Sequence, residues 1–96
     1  MATTKRKKAV NPKITYFTGT KIKKTEEWRN ELGELHRDDG PAAREWYENG
    51  QLKYAVWYVK GNHHRIGAPA TLTWYENGQL EREVWYVNDI GARVDG

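Results

Sequence analysis

The chain has 96 residues, of which 38% are hydrophobic and 30% are charged, and it contains no cysteine. A chain of this size is one small domain, and its composition leaves little apolar material for a globular core. The absence of cysteine excludes disulfide bonds and thiolate metal sites. No apolar run reaches the length of a membrane span or a signal-peptide core. We therefore expect a soluble intracellular protein that is not secreted: cytoplasmic, or nuclear if the host is eukaryotic.

Charge is distributed unevenly along the chain. Residues 1–24 carry eight basic side chains and no acidic one, whereas residues 25–96 carry eight basic and thirteen acidic ones, a net charge of −5. We predict a disordered basic arm over residues 1–13. Such an arm is either a solubilising tail or a nonspecific contact for nucleic acid or another polyanion. The residues predicted to make that contact are Lys5, Arg6, Lys7, Lys8 and Lys13.

A repeat of 28 residues organises the rest of the chain. The segment 46–52 recurs letter for letter at 74–80, and the segment 56–59 recurs at 84–87. A fixed period of this size is typical of stacked units that bury their apolar side chains against one another. We predict a repeat domain over residues 14–96. It comprises a degenerate first unit at 14–34, full units at about 35–62 and 63–90, and the start of a further unit at 91–96.

Within each full unit the local pattern predicts an antiparallel β-hairpin. Asn49-Gly50 and Asn77-Gly78 are flanked by aromatic and β-branched residues, and Asn-Gly is favoured in two-residue type I′ turns, where both positions need positive φ. With such turns, residue i pairs with residue 99 − i in the first hairpin and with residue 155 − i in the second. The predicted fold is all-β: an elongated, single-layer antiparallel meander of repeated hairpins.

This register assigns the side chains to two faces, one with the tryptophans and the other with the tyrosines. Lys53 and Glu81 join the tryptophan face, and Leu52 and Leu80 join the tyrosine face. A single layer cannot cover both of its faces, and aromatic side chains concentrate binding energy at protein interfaces. We therefore predict a protein partner on the tryptophan face, bound by Trp46, Trp57, Trp74 and Trp85. The alternative is that these rings form only the hydrophobic core of a thin sheet.

Arginine and histidine also recur with the repeat. Arg37, Arg65 and Arg93 keep the spacing of 28, and His36 and His64 precede the first two. The arginines are a candidate anion-binding row. The alternative is a structural role, in which an arginine bridges adjacent loops through Asp39 or Asp95 or stacks on a tryptophan. We expect the histidines to pack or hydrogen-bond in a turn. Repeated residues do not form the unique convergent cleft of an active site, so we predict no enzyme activity, no cofactor and no metal site.

The repeat resembles the MORN-variant repeat. The likeness is carried by residues 33–42, 46–52 and 57–65, which hold the Leu-His-Arg-Asp-Asp-Gly-Pro-Ala loop, the Trp-Tyr-x-Asn-Gly-Gln-Leu run and the second aromatic pair. It covers residues 28–96, and Ile66-Gly67-Ala68 departs from its x-Asp-Gly pattern. The resemblance implies an elongated hairpin meander that binds or scaffolds other proteins in bacteria and viruses. Some relatives are antitoxins, and ordinary MORN repeats are linked to membrane lipids and protein assembly.

The sequence thus predicts a non-catalytic repeat module that mediates protein–protein interaction in a viral or bacterial accessory, inhibitor-like or structural assembly protein. One alternative is a nucleic-acid-associated protein that uses the basic arm. A more distant one is a small protein that sequesters a nucleotide in the arginine row. An unpaired edge at Glu83–Asn88 would favour a homo-oligomer or pairing with a strand of the partner. The composition does not favour a membrane partner.

Overall fold

A computed structural model describes residues 12–88 and 90–95 of the chain, the last six by their backbone alone. This part of the chain contains no helix, and so none that could cross a membrane. Its nine strands are β1 (Lys13–Tyr16), β2 (Lys23–Glu27), β3 (Ala43–Trp46), β4 (Leu52–Val56), β5 (Tyr58–Val59), β6 (Asn62–His63), β7 (Thr71–Trp74), β8 (Leu80–Val87) and β9 (Ile90–Asp95).

Seven of the strands form one antiparallel sheet in the order β1-β2-β3-β4-β7-β8-β9, and β5 and β6 form a separate short hairpin between β4 and β7. The molecule measures 49 × 39 × 16 Å, with a radius of gyration of 14.6 Å. A compact domain of this length would have a radius of gyration of about 12 Å. The predicted all-β meander of hairpins is therefore confirmed, and its smallest dimension is that of a thin sheet.

The core of this sheet consists of small residues, and no large side chain is fully buried. The buried apolar residues are Ala42, Ala43, Ala55, Val56, Ala70 and Val84. Ala42 and Ala70 have no accessible surface, and each accepts a backbone hydrogen bond of 2.7 Å from a tryptophan, Trp28 and Trp57 respectively. The tryptophans themselves stay half-buried.

The two long hairpins have the predicted register over three residue pairs each, but their turns differ from the prediction. Asn49 does not have positive φ; Gly50 does, at 92°. The Tyr47 N–H donates to the Gln51 carbonyl at 2.8 Å, and the Gly50 N–H donates to the Tyr47 carbonyl at 2.9 Å. This is a three-residue loop in which a left-handed glycine forms a bulge. The second hairpin repeats it, with Gly78 at φ 94°.

The two-residue turn with positive φ at both positions lies elsewhere, between β5 and β6. Lys60 has φ 53° and Gly61 has φ 83°. Asn88, the equivalent of Lys60 in the next unit, has φ 51°. The turn with positive φ at both positions, expected at the Asn-Gly pairs, therefore occurs at Lys60-Gly61.

A second bulge, within β4, follows the glycine loop. Trp46 pairs with Leu52 and Glu45 pairs with Tyr54, so Lys53 is an extra residue between the two pairs. The Lys53 Nζ lies 3.8 Å from a carboxylate oxygen of Glu45 and 5.6 Å from the ring centroid of Tyr47. Lys53 is therefore on the tyrosine side and Leu52 opposite a tryptophan, so the prediction for this pair was wrong.

The second hairpin shows the same bulge. Trp74 pairs with Leu80, and Glu81 is the extra residue. Leu80 is 47% exposed. It lies across from Trp74 rather than on the tyrosine face, so the predicted face of Leu80 was wrong as well.

The ends of the sheet also differ from the prediction. β8 is not an edge strand, because it pairs with β9 from Glu83↔Asp95 to Val87↔Ile90. The unpaired edge predicted at Glu83–Asn88 was therefore wrong; the edge strands of the described sheet are β1 and β9. Lys13, assigned to the arm, is the exposed first residue of β1. Outside the description lie the arm residues Lys5, Arg6, Lys7 and Lys8 and the side chain of Arg93.

Candidate functional site

The arginine of the first full unit is held by its own loop. The guanidinium carbon of Arg37 lies 4.2 Å from a ring centroid of Trp28. The Arg37 Nε donates to the Asp39 carboxylate at 3.2 Å, and Nη1 donates to the Pro41 carbonyl at 3.3 Å. Stacking on a tryptophan, one form of the predicted structural role, is confirmed here. The pair with Asp39 forms within the loop of Arg37 and does not bridge adjacent loops as predicted.

The histidine beside it fastens a turn. His36 is 3% exposed, and its Nδ1 accepts the backbone N–H of Lys60 at 2.9 Å. A neutral ring that accepts at Nδ1 carries its proton at Nε2, and Nε2 lies 3.3 Å from the Asp38 carboxylate. His64 repeats the first contact, accepting the Asn88 N–H at 3.0 Å. The predicted hydrogen-bonding role of both histidines in a turn is confirmed.

The arginine of the second full unit has the same scaffold without the acid. The guanidinium carbon of Arg65 lies 3.8 Å from a ring centroid of Trp57, and Nη1 donates to the Pro69 carbonyl at 3.1 Å. Burial lowers the pKa of Arg65. Ile66 and Gly67 stand where the first loop has its two aspartates. Within the described residues, Arg65 forms no ion pair.

The two loops line one open cleft of about 680 Å³. One side of its lining comes from Arg37 and the aspartates of the first loop, and another from His64, Arg65 and Ile66. Trp57, under Arg65, lines it as well. The predicted row thus brings Arg37 and Arg65 to the same cleft, one paired with a carboxylate and the other not.

On the tryptophan face, the first hairpin is covered by charge. Glu26 is 4% exposed, and one of its oxygens accepts from Arg44 Nη2 at 2.7 Å and from Arg44 Nε at 2.8 Å. The Lys23 Nζ lies 3.8 Å from its other oxygen. The guanidinium carbon of Arg44 and the Nζ of Lys23 lie 5.0 and 5.5 Å from a ring centroid of Trp46. Two cations therefore flank this indole.

Apolar side chains occupy the equivalent positions of the second hairpin. Leu72 is the equivalent of Arg44 in the first hairpin. Leu72 pairs with Ala55 on β4, whereas Arg44 pairs with Glu26 on β2. Trp74 is half-buried, lies two residues from Leu72 and faces Leu80 across the hairpin. Within the described part of the chain, no lysine or arginine lies over the Trp74 ring. We call Leu72, Trp74 and Leu80 the apolar strip.

The four predicted partner-binding tryptophans are therefore not equivalent. All four are half-buried. Trp46 is flanked by cations and Trp57 lies under Arg65, whereas Trp74 belongs to the apolar strip. The sequence placed Leu72 on the tryptophan face without singling it out, and it placed Leu80 on the wrong face because a two-residue loop was assumed. A three-residue loop shifts the register by one residue and sets Leu80 opposite Trp74.

Comparison of the chain with models of known protein families, with curated proteins and with solved structures found no match. The resemblance to the MORN-variant repeat therefore rests on the repeat residues alone and stays a prediction.

Proposed function

We propose that this chain is a non-catalytic repeat module that binds another protein through the apolar strip of its tryptophan face. The supporting observation is the contrast between two hairpins with the same backbone. Arg44 of the first hairpin pairs with Glu26 of the preceding strand β2, whereas Leu72 of the second hairpin pairs with Ala55 of its preceding strand β4. Folding of the hairpin therefore does not require this surface to be apolar. A surface that is apolar without need of the fold is suited to a partner.

The chemistry of the strip indicates what it binds. Trp74 offers a ring next to two leucines, and tryptophan is enriched among the residues that dominate binding energy. Leu72 pairs across the strands with Glu83, which forms no ion pair within the described residues. The proposed occupant is a protein segment with an apolar side chain against Trp74 and a basic side chain beside Glu83. An inhibitor-like or assembly protein would use its sheet in this way.

The test places in the second hairpin the residue type that the first hairpin has at the equivalent position. Leu72→Arg introduces the residue that position 44 already carries, so the strip gains a charge at a site where the fold accepts one. We expect capture of a protein from a lysate of the source organism to fall at least tenfold, while the midpoint of thermal unfolding changes by only a few degrees. The matched control is Thr73→Arg, which adds the same charge one residue away, on the opposite face.

Capture that is lost equally in both variants would mean that added charge, not the strip, is responsible. Capture that survives Leu72→Arg unchanged would overturn the proposal. Binding through Trp46, Trp57 or Trp85 would then be examined by replacing each with serine, with thermal unfolding as the measure of folding.

A further inference from the structure

The two loops that line the cleft share the same side chain–backbone hydrogen bonds but carry different charges. In both loops a histidine Nδ1 accepts a turn N–H, and an arginine Nη1 donates to a proline carbonyl. In the first loop the remaining donors meet carboxylates: His36 Nε2 is 3.3 Å from Asp38, and Arg37 Nε is 3.2 Å from Asp39. The first loop therefore shows that the histidine and arginine donors of this arrangement bind carboxylates.

In the second loop the same donors have no acid. With Nδ1 occupied by Asn88, neutral His64 carries its proton at Nε2. Neither His64 nor Arg65 forms an ion pair within residues 12–88. Both side chains line the cleft, beside Ile66, which is 72% exposed. The loop thus presents two hydrogen-bond donors and an apolar side chain to the same open space.

Arg65 is held in place before any ligand arrives. Its guanidinium stacks at 3.8 Å on Trp57 and donates one N–H to the Pro69 carbonyl. These contacts remove much of the rotamer freedom that an arginine loses on binding. Arginine in a fixed, partly desolvated position is the usual partner of a carboxylate at an interface.

We propose that His64 and Arg65 bind the carboxylate of an aspartate or glutamate side chain of the partner protein, with an apolar neighbour of that residue packed on Ile66. This inference rests on the proposed function, because it supposes a protein partner. The partner's carboxylate occupies the role that Asp38 and Asp39 have in the first loop.

The charge of the cleft favours a carboxylate over a phosphate. The side chains of Arg37, Arg65, Asp38 and Asp39 all line it, and their formal charges cancel. A cleft of zero formal charge that already contains two carboxylates attracts a dianion poorly. A single negative charge, matched to the one unpaired guanidinium, is the better complement.

The experiment is a titration of the isotope-labelled protein, followed by NMR, with the peptide acetyl-Leu-Glu-Leu-amide. We expect the Arg65 Nε–H and His64 ring signals to move with a dissociation constant in the millimolar range. The same peptide with glutamine in place of glutamate should bind at least tenfold more weakly. Inorganic phosphate, as the competing ligand chemistry, should also bind more weakly than the glutamate peptide.

The matched variant is Ile66→Asp with Gly67→Asp, which restores the two aspartates of the first loop. This variant should bind the glutamate peptide at least tenfold more weakly. Its Arg37 signals should stay in place, which would show that the fold is kept. Gly67 has φ 81°, a conformation that aspartate adopts at some cost. For this reason Ile66→Asp alone, with unchanged backbone freedom at 67, is the second variant and should give a smaller loss.

Two results would overturn the inference: no movement of the Arg65 and His64 signals at 20-fold excess over about 1 mM protein, or phosphate binding tighter than the glutamate peptide, which would indicate a phosphate ligand. The Leu72→Arg variant separates this inference from the proposed function. It should bind the glutamate peptide as the wild type does, so a failed apolar strip and a failed carboxylate site give different results.

Discussion

The two full repeats have the same strand pairing, but their charged side chains have different partners. In the first, charges pair inside the chain: Glu26 with Arg44, and Asp39 with Arg37. In the second, the first pair is replaced by apolar residues and Arg65 has no acid among the described residues. What both repeats keep is the histidine that accepts a turn N–H and the arginine stacked on a tryptophan. The comparison separates contacts that both units keep from charges that the fold does not require in every unit.

The largest effect should come from breaking the buried ion pair of the first hairpin. Arg44→Leu leaves the Glu26 carboxylate, whose side chain is 5% exposed, without its main partner. Removing one member of a buried pair costs about 3–5 kcal/mol, and we expect about 3 kcal/mol because the Arg44 side chain keeps 30% exposure. The free energy of unfolding in urea is the measurement.

The control converts the first hairpin fully into the second. Glu26→Ala combined with Arg44→Leu reproduces the Ala55–Leu72 pair of the next repeat. We expect most of the lost stability to return, since replacing both members of a buried pair by apolar residues is often neutral. A double variant as unstable as Arg44→Leu would show that the two hairpins do not tolerate the same surface, and would weaken the argument for the strip.

The next effect compares the two histidines. His36→Ala leaves the Lys60 N–H, whose hydrogen bond is part-buried, without its acceptor and removes a ring that is 3% exposed; an unsatisfied buried donor costs about 1–3 kcal/mol. We expect about 2 kcal/mol for His36→Ala. His64→Ala should cost about 1 kcal/mol, because its hydrogen bond to Asn88 is exposed to water. Equal losses of unfolding free energy in urea would mean that burial does not distinguish the two loops.

The sequence predicted the strands of the sheet better than its turns. The recurrence of 46–52 at 74–80 and the Asn-Gly pairs were sufficient for the meander and for the register of three residue pairs in each hairpin. The predicted type I′ turns were wrong, because Asn-Gly suits both a two-residue turn and a three-residue loop with a left-handed glycine. The choice between them changes the faces of Leu52 and Leu80.

The site was predictable only in part. The spacing of Arg37 and Arg65 indicated a row, and the departure at Ile66-Gly67-Ala68 was visible in the sequence. The sequence did not predict that the two loops line one cleft, because this depends on the distance between successive units. The Tyr58–His63–Tyr86 ring contacts, with centroids 4.6 Å apart, were missed for the same reason.

A smaller effect concerns the type I′ turn. Lys60 has φ 53°, a region that costs most L-residues about 1 kcal/mol and suits asparagine better. Lys60→Asn copies Asn88 of the second repeat, whose φ is 51°. We expect a gain of about 0.5 kcal/mol in the free energy of unfolding, measured in urea. Asn88→Lys is the reciprocal control and should lose a similar amount; a loss in both variants would show that the two turns are not interchangeable.

The smallest effect is a pH dependence that the second repeat should lack. Burial, and then the carboxylates of Glu45 and Glu27, raise the pKa of Tyr54 above its ordinary value of 10.0; the second repeat has Arg82 at this position. A raised pKa in the folded state contributes stability that is present below pH 10 and is lost as the pH rises through the folded value. Tyr54→Phe should therefore show a shallower fall in the free energy of unfolding between pH 9 and about 11 than the wild type. Urea titrations at pH 7, 9, 10 and about 11 measure it, and parallel curves for the two proteins would show that the environment of Tyr54 does not favour its protonated form.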